Sequence, residues 1–385
     1  MSKSDFTSEE FDARLARVRK AVGDAGLDWL IAFHPVSIHW LTGSDAKAYQ
    51  GFQCLFVSAK QGPLTVLTRE GERNEYLDDV RVDRIETWGG CEPEDPVEVF
   101  AKVATGLGLA KARVGIEVPA YYMHPHHYVR IKDILSKALV AEPTNLINDL
   151  KLVKSPAELA YIREASRICD KAAHVFAGAL KEGRSELAVA GDVYQALLSA
   201  GSGLAASTLN LVAGERSAHS HGAPTERKLK RGDFGQVEYG AAYRRYTVTI
   251  GRQFSIGPPT ARMRELYDLV RRAADACIAK MRAGVPAIEP HLAAKKVIAD
   301  AGMDQYRIHT SGYGLAPAFP PSWGEPIHMF GGTKYVLEAG MVLSVEPPVF
   351  IHAERLGARL IDNVLVTKDG AELLSRHPRD LIVVD

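Results

Sequence analysis

The chain has 385 residues, of which 46% are apolar and 24% charged, and its 47 Lys+Arg are balanced by 47 Asp+Glu. That length leaves room for about two or three domains, each able to bury its own core, and so excludes a mini-protein that needs staples. The balance of charge excludes a basic surface evolved for nucleic acid or anionic membrane, which normally leaves an excess of Lys and Arg.

The first residues, MSKSDFTSEEFDARLARVRK, are polar and mixed in charge. No stretch approaches the roughly eighteen consecutive apolar residues of a membrane span. Four cysteines (Cys54, Cys91, Cys169, Cys277) lie far apart without a CxxC pair, a pattern that suggests neither a zinc site nor a disulfide framework. A chain without a cleaved leader, in a reducing cytoplasm, is the expectation.

Apolar residues at Phe11, Leu15, Val18, Val22 and Leu27 recur at helical spacing and predict a helix over 11–27. The run DWLIAF then reads as a buried strand. FQCLFVSA and PLTVLTRE read as two strands flanking the turn signal Lys60-Gln61-Gly62, and GIEV after Arg113 as a parallel one. MHPHHY (Met123 to Tyr128) has a metal-like composition, but its adjacent spacing suits no single site and reads as a helix start. Strands alternating with helices make residues 1–150 an α/β domain. Ser155-Pro156 then supplies an N-cap and a first-turn proline for a new helix.

Two further amphipathic helices are expected over 185–200 and 261–283, the second with a core stripe of Met263, Leu266, Val270, Ala274, Cys277 and Met281. Between and after them come the strand segments QVEYGAAYRRYTVTIGRQFSIG, MVLSVEPPVFI and RLIDNVLVT. Residues 151–385 therefore read as an α+β domain, its helices packed on a largely antiparallel sheet.

Several ionisable or polar residues stand in unusual settings. Glu238 lies in the apolar run Val237, Tyr239, Gly240, where an unpaired carboxylate would be costly; it is either edge-facing or salt-bridged, or else a base, nucleophile or electrostatic anchor. Glu346, between Val345 and Pro347, is a second such carboxylate. Two facing glutamates repel, so they share a proton or a cation sits between them, which favours a positively charged substrate group. His221, on the loop HSHGAPTERKLKRGD with His219 as competitor, suits proton transfer near neutral pH.

Taken together, KRGDFGQVEYG, YTVTIGRQFSIG, HTSGYG, MVLSVEPP and RLIDNVLVT resemble the pita-bread superfamily of methionine aminopeptidases, prolidases and creatinase. HPVSIHWLTG resembles the N-terminal domain that precedes the pita-bread domain in creatinase and prolidase. The resemblance implies an α/β N-terminal domain followed by an α+β pita-bread domain. It also implies a homodimer in which His39 to Gly43 closes the partner's site.

In the metallopeptidases of that superfamily the matching positions hold two metal ions. Here they are Glu238, Thr249, Tyr313, Glu346 and Ile361, the first two still separated by eleven residues. Only two can be carboxylate ligands, so the resemblance predicts a site with no metal and no other cofactor.

The VEYG strand, the Tyr243-Arg244-Arg245-Tyr246 hairpin, Tyr313 and PPSWGE resemble ectoine-hydrolase-type members more closely, although Glu346 and Arg359 depart from that pattern. This resemblance implies a metal-independent hydrolase opening a non-peptide C–N bond in a small zwitterion, an ectoine-like amidine or a creatine-like guanidino acid. Glu238, His221 and Glu346 would be catalytic. Tyr313, His309, Arg359, Trp323 and Tyr246 would bind substrate, Arg359 through a substrate carboxylate unless it pairs with Asp362 or Glu238 instead. The alternatives are an Xaa-Pro-type metallopeptidase with an altered site, a lyase of the same superfamily, or a binding protein without catalysis.

Overall fold

The computed structural model describes residues 6–385, so the reading of the first five residues lies outside it. The chain divides after Lys151 into two compact units. Among the described residues, no helix is long and apolar enough to cross a membrane.

The first unit is built on a six-stranded sheet in the order Arg84–Trp88, Thr65–Arg69, Cys54–Ser58, Trp29–Ala32, Val114–Ile116, Leu139–Ala141. Trp29–Ala32 pairs antiparallel with Cys54–Ser58 and parallel with Val114–Ile116. Alternate side chains enter different cores: Leu30 and Leu55 join Val18, Val22 and Trp40, whereas Ile31 and Phe56 join Phe100 and Ile131. Cover on both faces explains why these strands read as unbroken apolar runs.

The first helix is Ser8–Asp24, capped by the Thr7 side chain, which accepts from the Glu10 amide. It starts and ends three residues before the expected span, because Gly26 takes φ +70° just beyond its end and Leu27 packs from the following loop. The His-rich segment is the start of helix Pro125–Leu135, with His124 as its N-cap.

In the second unit, Ser155 and Glu158 form a reciprocal capping box that opens helix Pro156–Ala179. Helices Glu186–Ser199 and Ala261–Ile278 follow. Helix Ile288–Asp300, missing from the sequence reading, packs against Ala261–Ile278.

A nine-stranded sheet carries the order Ala371–Leu373, Asp362–Val366, Val342–Val345, Tyr313–Phe319, Tyr246–Ile256, Phe234–Tyr243, Asn210–Ala213. Ser322–His328 and Ile382–Val384 attach to its flanks. The long hairpin Phe234–Tyr243/Tyr246–Ile256 turns through Arg244 and Arg245, both at positive φ. The segment MVLSVEPPVFI is split into two strands, and RLIDNVLVT enters the ladder only at Asp362. Glu346-Pro347-Pro348 separates Val342–Val345 from Val349–Ile351, and Arg359-Leu360-Ile361 separates Leu356–Ala358 from Asp362–Val366. These breaks set Glu346 and Arg359 free of the regular ladder, where their side chains meet.

Candidate active site

Glu238 lies mid-strand and buried, opposite Asn210 on one side and Gly251 on the other. Its Oε2 accepts from Asn210 Nδ2 at 3.0 Å and from an Arg359 guanidinium nitrogen at 2.6 Å. The other terminal nitrogen of Arg359 donates to Glu346 Oε2 at 2.5 Å, and Glu346 Oε1 accepts from Ser344 Oγ at 2.8 Å. One guanidinium thus joins two carboxylates, all three groups buried. His309 Nδ1 stands 4.0 Å from Glu346 Oε2, and its ring meets that of His221 edge to face at 5.7 Å.

The glycine turn sets the depth of this cluster. A Cβ on Gly312, which takes φ +153°, would fall 1.9 Å from the Ser344 carbonyl oxygen, so only glycine lets Tyr313 lie against strand Val342–Val345. Tyr313 N–H donates to Ser344 Oγ, and its hydroxyl accepts from Trp323 Nε1 at 2.9 Å.

The charges explain the protonation states. Burial would raise the Glu346 carboxyl, but the adjacent Arg359 charge, with smaller help from His309 and Ser344, carries it below the usual carboxylate range. Burial works against the Arg359 charge, yet the two carboxylates hold its pKa above that of ordinary arginine. His221 is partly open to solvent; the portion that is covered, and then Arg359, lower its pKa and favour the neutral ring. Burial, reinforced by the two glutamates, pushes the Tyr313 phenol well up, so it stays protonated and can donate.

The structure brings together Glu238, Glu346, Arg359, His309 and His221, with Tyr313 and Trp323 alongside. Two expectations are corrected. Arg359 bridges the chain's own glutamates, so the cation between them is internal and its guanidinium is engaged before any substrate arrives. The Tyr246 hydroxyl donates to Glu158 Oε1 at 2.8 Å with its ring against Tyr161, so it anchors helix Pro156–Ala179 to the sheet. Sequence reasoning missed Asn210 and Ser344. The S-x-E spacing puts Ser344 on the face of Glu346 and was there to be read; Asn210 depends on cross-strand register, for which the sequence holds no signal.

Comparison with known proteins extends over the whole chain. Residues 160–368 match the metallopeptidase family M24, and residues 14–153 match the creatinase/prolidase N-terminal domain. The protein named "Probable dipeptidase PepE" of Mycobacterium tuberculosis is 30% identical over 388 residues, covering 100% of this chain and 99% of its own length. The Xaa-Pro dipeptidase of Pyrococcus furiosus is 26% identical, with 96% and 99% covered. The crystal structure of dipeptidase PepE from Mycobacterium ulcerans superposes with a TM-score of 0.87 at 28% identity, covering 99% of this chain and 100% of that one.

The chain therefore belongs to the M24 family, with the two-domain architecture of a creatinase/prolidase N-terminal domain and a pita-bread domain. The relatives overturn the expected activity. They are dipeptidases and prolidases, so a metal-independent, ectoine-hydrolase-type or creatinase-type enzyme acting on a non-peptide C–N bond is not supported.

The family name implies metal, and the donors present do not fit a pair of divalent ions. Among the described residues, no group of three or more His, Cys, Asp or Glu side chains is placed to hold one. Thr249 Oγ1 donates to the Tyr239 carbonyl and its amide to Asn363 Oδ1, so the hydroxyl serves the sheet. Ile361 exchanges backbone hydrogen bonds with Gly251, and its side chain covers that glycine. The two remaining carboxylates are already bound to Arg359.

Proposed function

We propose that this chain is a dipeptidase-class protein that takes small peptides, zwitterions with a free amino and a free carboxylate end, against the cluster of Glu238, Glu346, His309 and His221. The observation that carries this reading is the buried Glu238–Arg359–Glu346 bridge faced by His309 and His221, in a chain similar to dipeptidases over its full length. The bridge carries two negative charges against one positive, leaving a surplus that suits the amino group of a peptide. A neutral His221 at the rim has the proton affinity to deprotonate water and return the proton to a leaving amine. The Tyr313 phenol can donate to oxygen at a tetrahedral centre.

The test is a panel of dipeptides, Xaa-Pro members included, with released amino acids read by mass spectrometry. Cleavage is expected, and His221→Asn is expected to lower kcat by about 10²–10⁴-fold. Full activity in that variant refutes the assigned role.

A second reading, capture of peptides without cleavage, is favoured by Thr249, Tyr313 and Ile361 at the positions where the pita-bread resemblance implies metal ligands. Stabilisation by dipeptides with no released product would select it. A homodimer in a reducing, cytoplasmic setting completes the proposal. Light scattering at twice the chain mass, and recovery in the cytosolic fraction, are the expected results.

A further inference from the structure

We infer that the recess beside His309 receives the C-terminal residue of a peptide, and that Phe330 and His328 make it select a bulky apolar side chain carried on a free carboxylate. The inference rests on the dipeptidase reading and adds to it the class of peptide taken.

The recess measures about 560 Å³ and adjoins the candidate site through His309, whose Nδ1 stands 4.0 Å from Glu346 Oε2. Part of its wall comes from the end of strand Ser322–His328 and the residues just after it. Tyr313 and His328 are direct partners across an antiparallel pair, so their side chains share a face, with ring centroids 5.9 Å apart. The His328 ring meets Phe330 edge to face at 5.7 Å. A row of rings thus runs from Tyr313, beside the two glutamates, through His328 to Phe330.

The lining defines the occupant. Ile308 and Phe330 are 64% and 47% exposed, and both border this one recess. Single exposed hydrocarbons are ordinary, whereas two that flank one concavity mark a surface kept for apolar contact. Among the described residues no Asp or Glu lines the recess, while Lys295 and Arg307 do. Both cations share the one carboxylate of Asp304, at 3.6 and 3.1 Å, which leaves a positive charge in surplus. The ring nitrogens of His328 make no hydrogen bond to another described residue. Burial, then His309, lowers its pKa, so the neutral ring keeps an N–H to donate to a carboxylate.

The Glu238–Arg359–Glu346 bridge carries the opposite surplus. A dipeptide is therefore oriented with its amino group toward the glutamates and its C-terminal residue in the recess. The volume lies in the range of small-molecule sites and far exceeds a proline ring, so larger side chains bury apolar area there that proline cannot.

The experiment measures Kd by calorimetry and kcat/KM by released amino acids, on the full chain, for Ala-Phe, Ala-Leu, Ala-Ala, Ala-Pro and Ala-Phe amide. Ala-Phe is expected to surpass Ala-Ala by at least about 10-fold, the scale on which apolar pockets discriminate. It should surpass its own amide by about 10-fold or more, the worth of a hydrogen bond to a charged group. Phe330→Ala should shrink the first ratio and His328→Ala the second, with circular dichroism identifying folded variants. Dipeptides bound or cleaved without regard to the C-terminal side chain, or Ala-Pro preferred to Ala-Phe, overturn the inference and leave the dipeptidase reading standing. Folded variants that keep both wild-type ratios do the same. If peptides bind without cleavage, the Kd ratios decide alone; if none binds or is cleaved, both readings fall.

Discussion

Ile361 and Gly251 show how one substitution constrains another. A Cβ on Gly251 would sit 2.5 Å from Ile361 Cγ1, so Gly251→Ala is expected to cost about 1–3 kcal/mol of stability through overpacking. Ile361→Ala alone removes a fully buried side chain and is expected to cost about 2–5 kcal/mol. In the double variant the new methyl enters the space the isoleucine left. Urea denaturation should show a loss smaller than the sum of the two by more than about 0.5 kcal/mol, and strict additivity would mean that the two side chains do not meet. Glu238 and Glu346 were legible in the sequence because a carboxylate inside an apolar strand demands a partner. Arg359 was named as one possible partner of Glu238, but its bridge to Glu346 was not read. Arg359 is 121 residues from one and 13 from the other, and a substrate carboxylate satisfied the same chemistry on paper.

At the scale of elements, His34, the N-cap of helix Pro35–Thr42, and Glu117, which follows strand Val114–Ile116, form a pair whose protons oppose each other. Burial, then the charge of Lys151, lowers His34 to about 3, while burial pushes Glu117 up to about 7 against hydrogen bonds donated by the His34 amide and the Ser37 hydroxyl. Between pH 4.5 and 6.5 the unfolded chain protonates His34 and the native one does not, so this group alone makes stability rise with pH. Glu117 does the reverse: the native chain holds its proton and the unfolded chain releases it, so its contribution falls as pH rises. The two slopes, each about 1.4 kcal/mol per pH unit, nearly cancel. Glu117→Gln removes one of them. Its stability is expected to climb with pH across that window about 1.4 kcal/mol per unit more steeply than the wild type, as measured by denaturant unfolding at stepped pH. Parallel slopes would refute the pairing. The long amphipathic helices and the apolar strands were legible from periodicity and caps. Helix Ile288–Asp300 was not, because Pro290 sits in its first turn and an Ala/Lys-rich interior blurs its apolar face. The break at Glu-Pro-Pro and the late entry of RLIDNVLVT into the ladder were hidden because neither interrupts hydrophobicity.

For the molecule as a whole, each of the two units encloses its own apolar clusters, and every residue of the candidate site belongs to residues 152–385. A dipeptide at 100 times its Kd is therefore expected to add about 2.7 kcal/mol to the stability of the second unit. In hydrogen exchange, protection should grow in strands such as Phe234–Tyr243 and leave Trp29–Ala32 unchanged; equal gains in both would contradict a site confined to one unit. The architecture was legible because glycines, prolines and strand patterns survive where the chemistry has changed, and that same persistence misled the reading of activity. Trp323 gives the molecule an optical reporter: it is the lone tryptophan beyond Trp88, and its indole N–H is bonded to the phenol that lies beside the two glutamates. Any molecule that disturbs this phenol should shift the emission of one fluorophore while Trp29, Trp40 and Trp88 report a silent background, so occupancy can be followed by light alone, with Trp323→Phe as the blank.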